Sequence, residues 1–188
     1  MPYPPVVTRQ SNIHGTGVFS THAILAGERI IEYRGIRIPK TQSHLRPETI
    51  TQGSPDQPVF TFTLDPLHNL DGDIPDNPAK FINHSCEENC EAIHENNQLW
   101  IFAKKDIPAE TELTIDYAFS LESFFEHPCH CHTPNCTGYI VASPLRHLIR
   151  KMLSQSKFKP ESRFKKYKIL ACMERSEIRR EPITQQPV

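Results

Sequence analysis

Before residue 118, short runs of apolar and polar residues with β-type composition, bounded by turn-forming residues, outnumber anything helical. Their length and composition are typical of β-strands. They are GVFSTHAIL at 17–25, ERIIEY at 28–33, VFTFTL at 59–64, QLWIFAKK at 98–105 and ELTIDY at 112–117. ILAG and IPAE provide tight turns between some of these runs. The pattern predicts a mostly β domain.

One later stretch, PLRHLIRKMLSQS at 144–156, has the periodicity of a helix. Its apolar side chains recur at helical spacing and are Leu145, Leu148, Ile149, Met152 and Leu153. Ser143 is a suitable N-cap, and Pro144 suits the first helical position. The apolar stripe indicates a helix that packs on the body of the domain.

Charge divides the chain near Ser143 and Pro144. Residues 1–143 carry 9 Lys+Arg and 18 Asp+Glu, whereas residues 144–188 carry 12 and 4. An acidic body would attract a basic substrate. The basic extension either contacts nucleic acid or is simply solvated surface.

Length and hydropathy exclude some protein classes. The chain has 188 residues, of which 37% are hydrophobic, and this suits one domain with an appendage. No segment approaches the roughly 18 consecutive apolar residues of a membrane span. The N-terminal MPYPPVVTRQ does not have the basic-then-apolar order of a secretory signal. The sequence therefore predicts an intracellular protein with no membrane partner.

Cysteines are grouped in a way that favours a metal site. CHCHTPNC at 129–136 is a C-x-C-x4-C array whose three thiolates suit a tetrahedral zinc ion that lacks one ligand. Cys86, in FINHSCEENC, is the best candidate for that ligand. A disulfide fits less well, because a Cys-x-Cys spacing is poor for a bridge. The cysteines of the array are Cys129, Cys131 and Cys136, and the rival ligands are Cys90, His130 and His132.

Three further features carry possible chemistry. Gly15 and Gly17, in NIHGTGVF, allow a backbone to approach a ligand closely. Tyr33 and Tyr117 end two strand-like runs, where a phenol could project into a site. His84 would be the base of a Cys-His hydrolase only if the Cys86 thiol were the nucleophile. That reading is weaker, since the metal site needs this thiol.

In chain order, the motifs HGTGVF, EYRG, FINHSC, ELTIDY and CHCHTPNC resemble those of the SET-domain protein lysine methyltransferases with a post-SET zinc loop. The resemblance covers roughly residues 9–141, and ILAGE and DIPAE are similar to compact bacterial members. It implies a β-clip fold of several small twisted sheets, with FINHSC in a pseudoknot beside ELTIDY. The expected division is a SET domain at 1–128, a zinc loop at 129–143 and a partly helical basic extension at 144–188.

The resemblance also implies roles for individual residues. Tyr117 would lie where the sulfonium of S-adenosylmethionine meets the substrate amine, and Tyr33 would be a second catalytic residue. Structural zinc would fasten the loop that covers the cofactor, with Gly138 to Ile140 over the adenine. The cofactor-binding residues would be His14, Gly15, Gly17, Asn83, His84 and Tyr139, and the lysine channel would contain Phe60, Phe62 and Ile115. Phenylalanine stands on the VFTFTL strand where many members carry a tyrosine.

Methyl transfer to lysine requires a neutral amine. A lysine pKa near 10.4 makes deprotonation at neutral pH cost roughly 4 kcal/mol, which desolvation in an aromatic channel would reduce. Positioning therefore carries most of the expected catalysis. The implied substrate is a basic protein, such as a histone tail, a histone-like protein or a ribosomal protein, in a bacterial cytoplasm or a nucleus. The alternative is a non-catalytic zinc-containing module that binds cofactor or basic peptides.

Overall fold

The protein, seen in a computed structural model, consists mainly of short strands in small sheets. The structure describes residues 5–41, 60–121 and 124–154. Ten strands within these ranges form two two-stranded and two three-stranded sheets. The strands are β1 Val6–Gln10, β2 Thr16–Ser20, β3 Arg29–Tyr33, β4 Ile36–Pro39, β5 Thr61–Thr63, β6 His68–Asp71, β7 Asn83–His84, β8 Cys90–Glu95, β9 Gln98–Ala103 and β10 Thr114–Ile115. The prediction of a mostly β fold is confirmed.

The main core lies around the antiparallel sheet β3–β9–β8. Its central strand, β9, alternates between buried and more exposed positions, as a strand with one face on the core does. Leu99 and Ile101, on the inner face of β9, lie opposite Tyr33 and Ile31 of β3. This packing fixes Tyr33 at the end of its strand with 3% of its surface exposed.

A short parallel pair, β7 with β10, brings two distant motifs together. Asn83 lies opposite Thr114, and His84 lies opposite Ile115. Buried Asn89 supports the pairing, because its side-chain amide donates to the Glu112 carbonyl at 2.8 Å and its oxygen accepts from the Thr114 amide at 2.8 Å. FINHSC therefore lies beside ELTIDY, as the expected pseudoknot requires.

Five of the strands, β1, β4, β6, β7 and β8, were not predicted from the sequence, and the predicted ones are shorter than expected. GVFSTHAIL forms a strand only to Ser20, followed by an isolated bridge between Ile24 and Ile107. β1, for example, has the sequence VVTRQ, without apolar–polar alternation, and exposes four of its five residues. Residue 59 of VFTFTL lies outside the described residues.

The C-terminal helix begins differently from the prediction. Ser143–Leu145 form a 3-10 turn, and α1 follows at Arg146–Ser154. Ala142 is the N-cap residue, so the prediction of a Ser143 cap is wrong. The Ser143 amide donates instead to the Asp116 carboxylate at 2.8 Å. Residues 155–188, with the predicted helix end and most of the basic extension, lie outside the described residues.

The apolar stripe of α1 is also corrected at one position. Leu148, Ile149 and Met152 are buried, and Ile149 and Met152 pack with Phe124 and Val141 in a second core cluster. Leu153, by contrast, is 41% exposed, and the buried residue at the start of the helix is Arg146. No helix among the described residues has the length and apolar character needed to span a membrane.

Candidate active site and cysteine cluster

Tyr117 lies directly beyond β10 and is held at both its backbone and its hydroxyl. Its amide donates to Nδ1 of His84 at 3.2 Å, and its hydroxyl donates to the Ile82 carbonyl at 2.9 Å. Burial raises the pKa of the phenol, and the Glu112 carboxylate raises it further. The hydroxyl therefore stays protonated at neutral pH. Because its hydrogen is used by Ile82, the oxygen offers only lone pairs to a substrate.

Tyr33 provides a second anchored phenol. Its hydroxyl donates to the Phe60 carbonyl at 2.8 Å, and its ring packs edge-on against Phe62 with 4.6 Å between centroids. Burial is again the main cause of a raised pKa, followed by the Tyr117 phenol. A Cβ at Gly72 would overlap the Tyr33 ring, so a glycine is needed there for the ring to occupy this place.

The loop between β1 and β2 is tied to the pseudoknot strand by Asn83. The side-chain amide of Asn83 donates to the carbonyls of His14 and Thr16 at 3.1 and 3.2 Å. Gly15 has a φ of +47°, a conformation that favours glycine. His14 itself is exposed, so the loop presents its backbone and one imidazole beside β7.

Glu112 is a site residue that the sequence analysis missed. Its carboxylate accepts hydrogen bonds from the Ser11 hydroxyl at 2.7 Å and from the Asn83 amide at 2.8 Å. A Cβ at Gly17 would overlap this carboxylate, which gives Gly17 a packing reason as well as a binding one. The available signal was a charged residue at the start of ELTIDY, next to a strand that ends in a candidate catalytic tyrosine.

The residues expected to line the lysine channel fall into two groups. Ile115 is 3% exposed and belongs to the same core cluster as Tyr33, with Phe62 and Tyr117 packed against it. Phe60 lies apart from this group. Its ring contacts Phe81 edge-on at 6.1 Å between centroids, and the Lys80 ammonium lies 5.3 Å from each of these two rings. The aromatic residues expected in the channel therefore form two separate ring pairs, Tyr33 with Phe62 and Phe60 with Phe81.

The four predicted cysteines, Cys86, Cys129, Cys131 and Cys136, converge. Their Sγ atoms all lie within 4.8 Å of one another, and those of Cys86 and Cys129 are 3.9 Å apart. Zinc–sulfur bonds of 2.3 Å in a tetrahedron place the sulfurs about 3.8 Å apart, so the group is able to hold a metal ion with little adjustment.

The pKa shifts within the cluster differ in direction: the neighbouring Cys86 sulfur raises the pKa of Cys129, and burial raises the pKa of Cys136. Backbone amides, which favour a thiolate, donate to two of the sulfurs. The Cys86 amide donates to Sγ of Cys131 at 3.4 Å, and the Gly138 amide donates to Sγ of Cys136 at 3.3 Å. The neighbouring Cys129 thiol, together with His84, lowers the pKa of Cys86 to about 3. The rival ligand Cys90 is fully buried elsewhere, and burial raises its pKa to about 12. His130 and His132 are exposed and do not belong to the cluster.

His84 lies between Tyr117 and the cysteine cluster. Since Nδ1 accepts the Tyr117 amide hydrogen, the neutral ring carries its own hydrogen on Nε2, which faces Sγ of Cys86 at 3.6 Å. Both ring nitrogens are therefore used inside the protein. The imidazole itself is therefore not available to a ligand.

Tyr139 follows the cysteine array and joins it to the second core. Its ring packs edge-on against Phe124 and Phe125, with 5.3 and 5.9 Å between centroids. Its backbone forms an isolated bridge with Pro128. The segment after Cys136 is thus fixed both by the cysteine cluster and by aromatic packing near α1.

A comparison with protein families matches residues 15–118 to the SET domain. This chain belongs to the SET domain family. The matched part begins at Gly15 in the loop tied by Asn83 and ends just beyond Tyr117. Cys86 lies within this SET domain, and the other three cysteines of the cluster lie after it.

Curated relatives of this SET domain are histone-lysine N-methyltransferases. The H3 lysine-4 specific enzyme of Saccharomyces cerevisiae is 34% identical over 142 residues, covering 72% of this chain and 13% of that protein. Histone-lysine N-methyltransferase 2B of Homo sapiens is 38% identical over 136 residues, covering 70% and 5%. Histone-lysine N-methyltransferase trithorax of Drosophila melanogaster is 36% identical over 135 residues, covering 70% and 4%. The chain spans 13% or less of the length of these relatives. All three are eukaryotic, and the expected likeness to bacterial members stays a prediction.

Proposed function

We propose that this chain is an S-adenosylmethionine-dependent protein-lysine N-methyltransferase that acts on a histone. The observation that carries the proposal is the pair of anchored, protonated phenols, Tyr117 and Tyr33, within a SET domain. The names of the curated relatives support a histone as the substrate class, and the name of the Saccharomyces cerevisiae enzyme specifies lysine 4 of H3. A net negative charge on residues 1–143 suits a basic protein substrate.

The cofactor would lie against the loop that Asn83 holds. S-adenosylmethionine supplies a methyl group on a positively charged sulfonium. The backbone around His14, Gly15 and Gly17 would bind its methionine end, and the backbone of His84 would close the other side. The Asn83 side chain would act mainly by holding the loop, because its amide already binds the carbonyls of His14 and Thr16. Tyr139 would contribute at the adenine.

The substrate lysine would enter beside Tyr33 and Phe62 and reach the Tyr117 oxygen. Burial among aromatic and aliphatic side chains disfavours the ammonium form and so lowers the cost of a neutral amine. The lone pairs of the Tyr117 oxygen would accept a hydrogen of the amine and align it for in-line displacement. A protonated phenol of raised pKa is a poor general base, so its contribution is orientation.

The cysteine cluster would hold one structural zinc ion. Its ligands would be Cys86, Cys129, Cys131 and Cys136, which the amides of Cys86 and Gly138 support as thiolates. Zinc would join the loop at 129–143 to the pseudoknot next to His84. In this proposal the metal does not touch the reacting atoms, and it fixes the segment that carries Tyr139.

The rate of methyl transfer should rise with pH from about 7 to about 9, by nearly tenfold per unit in kcat/KM for the lysine substrate, because deprotonation of an amine with pKa near 10.4 limits it. Burial raises the pKa of both Tyr117 and Tyr33, so both phenols stay protonated throughout this range. Initial rates measured with a lysine peptide would check this. A rate that decreases as the pH rises from about 7 to about 9, with the fold intact, would contradict positioning by neutral phenols.

The number of methyl groups added should depend on Ile115. In the family a tyrosine at this position, two before the terminal tyrosine of the strand, tends to stop the reaction at one methyl. Buried Ile115 provides no hydroxyl, so we expect di- or trimethyllysine from the wild type and a shift to monomethyllysine with Ile115→Tyr. Ile115→Val is the matched control and should keep the wild-type products. Mass spectrometry under prolonged excess cofactor would measure both. A wild type that stops at one methyl would exclude this role for Ile115.

The proposed activity is tested by incubating the protein with methyl-labelled S-adenosylmethionine and a panel of histones, a bacterial histone-like protein and ribosomal proteins. Label in a histone, lost when the acceptor lysine is replaced by arginine, is the expected result. Cofactor binding with no transfer to any member of the panel would favour the non-catalytic module instead. Label on the other proteins alone would move the substrate class away from histones and the site of action from a nucleus to a bacterial cytoplasm.

Nucleic-acid contact through the basic extension is a second part of the proposal. Residues 144–188 carry 12 Lys+Arg and 4 Asp+Glu, which suits attraction to phosphates. The contact would raise activity on a nucleosome relative to a free peptide, and salt would weaken the difference. The charge of the extension supports this proposal, and its residues 155–188 lie outside the described part of the chain.

A further inference from the structure

Arg146 is a buried cation at the start of α1, beyond the part of the chain that matches the SET domain. Only 6% of its surface is exposed. Its guanidinium donates from NH1 to the Cys86 carbonyl at 2.7 Å and from Nε to the Val141 carbonyl at 3.2 Å. One side chain therefore binds the backbone of the pseudoknot loop and the backbone that follows the cysteine array.

Two carboxylates balance the charge of this guanidinium. NH2 of Arg146 lies 2.9 Å from Asp116 Oδ2 in an ion pair, and NH1 lies 3.8 Å from Glu88 Oε2. Asp116 also accepts the backbone amides of Ala118 and Ser143, both within 2.9 Å. Arg146 thus reaches the residue directly before Tyr117 and helps to fix the backbone on both sides of that phenol.

The geometry of these contacts requires arginine. A guanidinium presents five donors in a rigid planar fork, whereas a lysine ammonium is a single point charge on a flexible stem. The Cys86 carbonyl, the Val141 carbonyl and the Asp116 carboxylate lie in three separate segments. A lysine ammonium cannot contact the two carbonyls and the carboxylate at the same time. A buried cation also costs free energy unless its partners are in place, so the segments and Arg146 are ordered together.

We propose that Arg146 is a positioning residue for methyl transfer. Through it, α1 fixes the position of Tyr117 relative to residues 138–140, the segment proposed to cover the adenine of the cofactor. This inference rests on the proposed function. Arg146 acts through its neighbours and does not touch the reactants. On one side it donates to the Val141 carbonyl, directly after the segment proposed to cover the adenine, and on the other side it pairs with Asp116, next to Tyr117.

The proposal is tested with Arg146→Lys and Arg146→Gln, and with Lys151→Gln as a matched control, since Lys151 is an exposed cation of the same helix. Arg146→Lys should weaken S-adenosylmethionine binding, measured by calorimetry, by about tenfold and lower kcat by about tenfold, as for other partners that orient a site from outside it. KM for the peptide should stay within about twofold. The Lys151 variant should match the wild type.

A merely structural role would give a different pattern. In that case Arg146→Lys would lower the melting temperature, but the folded protein would keep the cofactor affinity and kcat of the wild type. Wild-type values in folded Arg146→Lys or Arg146→Gln would overturn the proposal.

Hydrogen exchange on the wild type decides the matter if the variants do not fold. Because coupling between sites is reciprocal, S-adenosylmethionine should slow amide exchange in Arg146–Ser154, although α1 makes no proposed contact with it. Unchanged exchange in α1 upon cofactor binding would overturn the proposal. A wild type that binds no cofactor at all would instead refute the proposed function.

Discussion

Replacing Tyr117 with phenylalanine is expected to lower the rate of methyl transfer by roughly 10²-fold or more, as the loss of one positioned polar group in a dry site does. The substitution removes only the hydroxyl that donates to the Ile82 carbonyl at 2.9 Å. The ring contact with His84, at 5.5 Å between centroids, is kept. The hydrogen bond from the backbone amide of residue 117 to Nδ1 of His84 is also kept. Cofactor affinity should therefore change little.

Single-turnover rates and calorimetric titration with S-adenosylmethionine would separate these two effects. The Tyr117→Phe protein should bind cofactor as the wild type does and transfer methyl slowly. Loss of cofactor binding would mean that the substitution disturbed the fold rather than the amine. Near-normal turnover by the Tyr117→Phe protein would show that the Tyr117 hydroxyl does not take part in methyl transfer.

Replacing Cys131 with serine should abolish zinc binding and weaken cofactor binding. Structural zinc contributes on the order of 10 kcal/mol to the folding of small sites, and Cys131 is a buried member of the cluster whose sulfur accepts the Cys86 amide at 3.4 Å. Without the metal, the segment that carries Tyr139 would lose its link to Cys86 and keep only its aromatic packing and backbone contacts. Zinc content should fall from about one ion per chain to nearly none.

Cys90→Ala is the matched control for that experiment, because Cys90 is a buried thiol outside the cluster. It should keep about one zinc ion per chain and near-wild-type cofactor affinity. Elemental analysis of protein purified without chelator measures the metal. A wild type with no zinc, or a Cys131→Ser protein with a full complement, would contradict the assignment of this cluster.

The sequence contained enough information for the family and the fold class, because the decisive motifs are local. FINHSC, ELTIDY and the C-x-C-x4-C array can each be recognised within a few residues. The convergence of Cys86 with that array followed from the chemistry of zinc, since a tetrahedral site requires a fourth ligand. The contacts between recognisable motifs, such as that of Cys86 with the cysteine array, were therefore predictable from the sequence.

Contacts between distant segments were not predictable in the same way. Arg146 is buried although it lies outside the apolar stripe of the helix, because two carboxylates and two carbonyls converge on the guanidinium only after folding. Glu112 was missed for a similar reason. Its partners, Ser11 and Asn83, lie far away in the chain and identify it as a site residue only in three dimensions.

The central claim, that this SET domain transfers methyl groups to lysine, is tested most directly by tandem mass spectrometry of histones incubated with the protein and S-adenosylmethionine. With the wild type, we predict methyl groups on a defined histone lysine. With Tyr117→Phe, the level of methylation at that lysine should be reduced roughly 10²-fold. A folded wild type that binds S-adenosylmethionine yet leaves every histone lysine unmodified would contradict it.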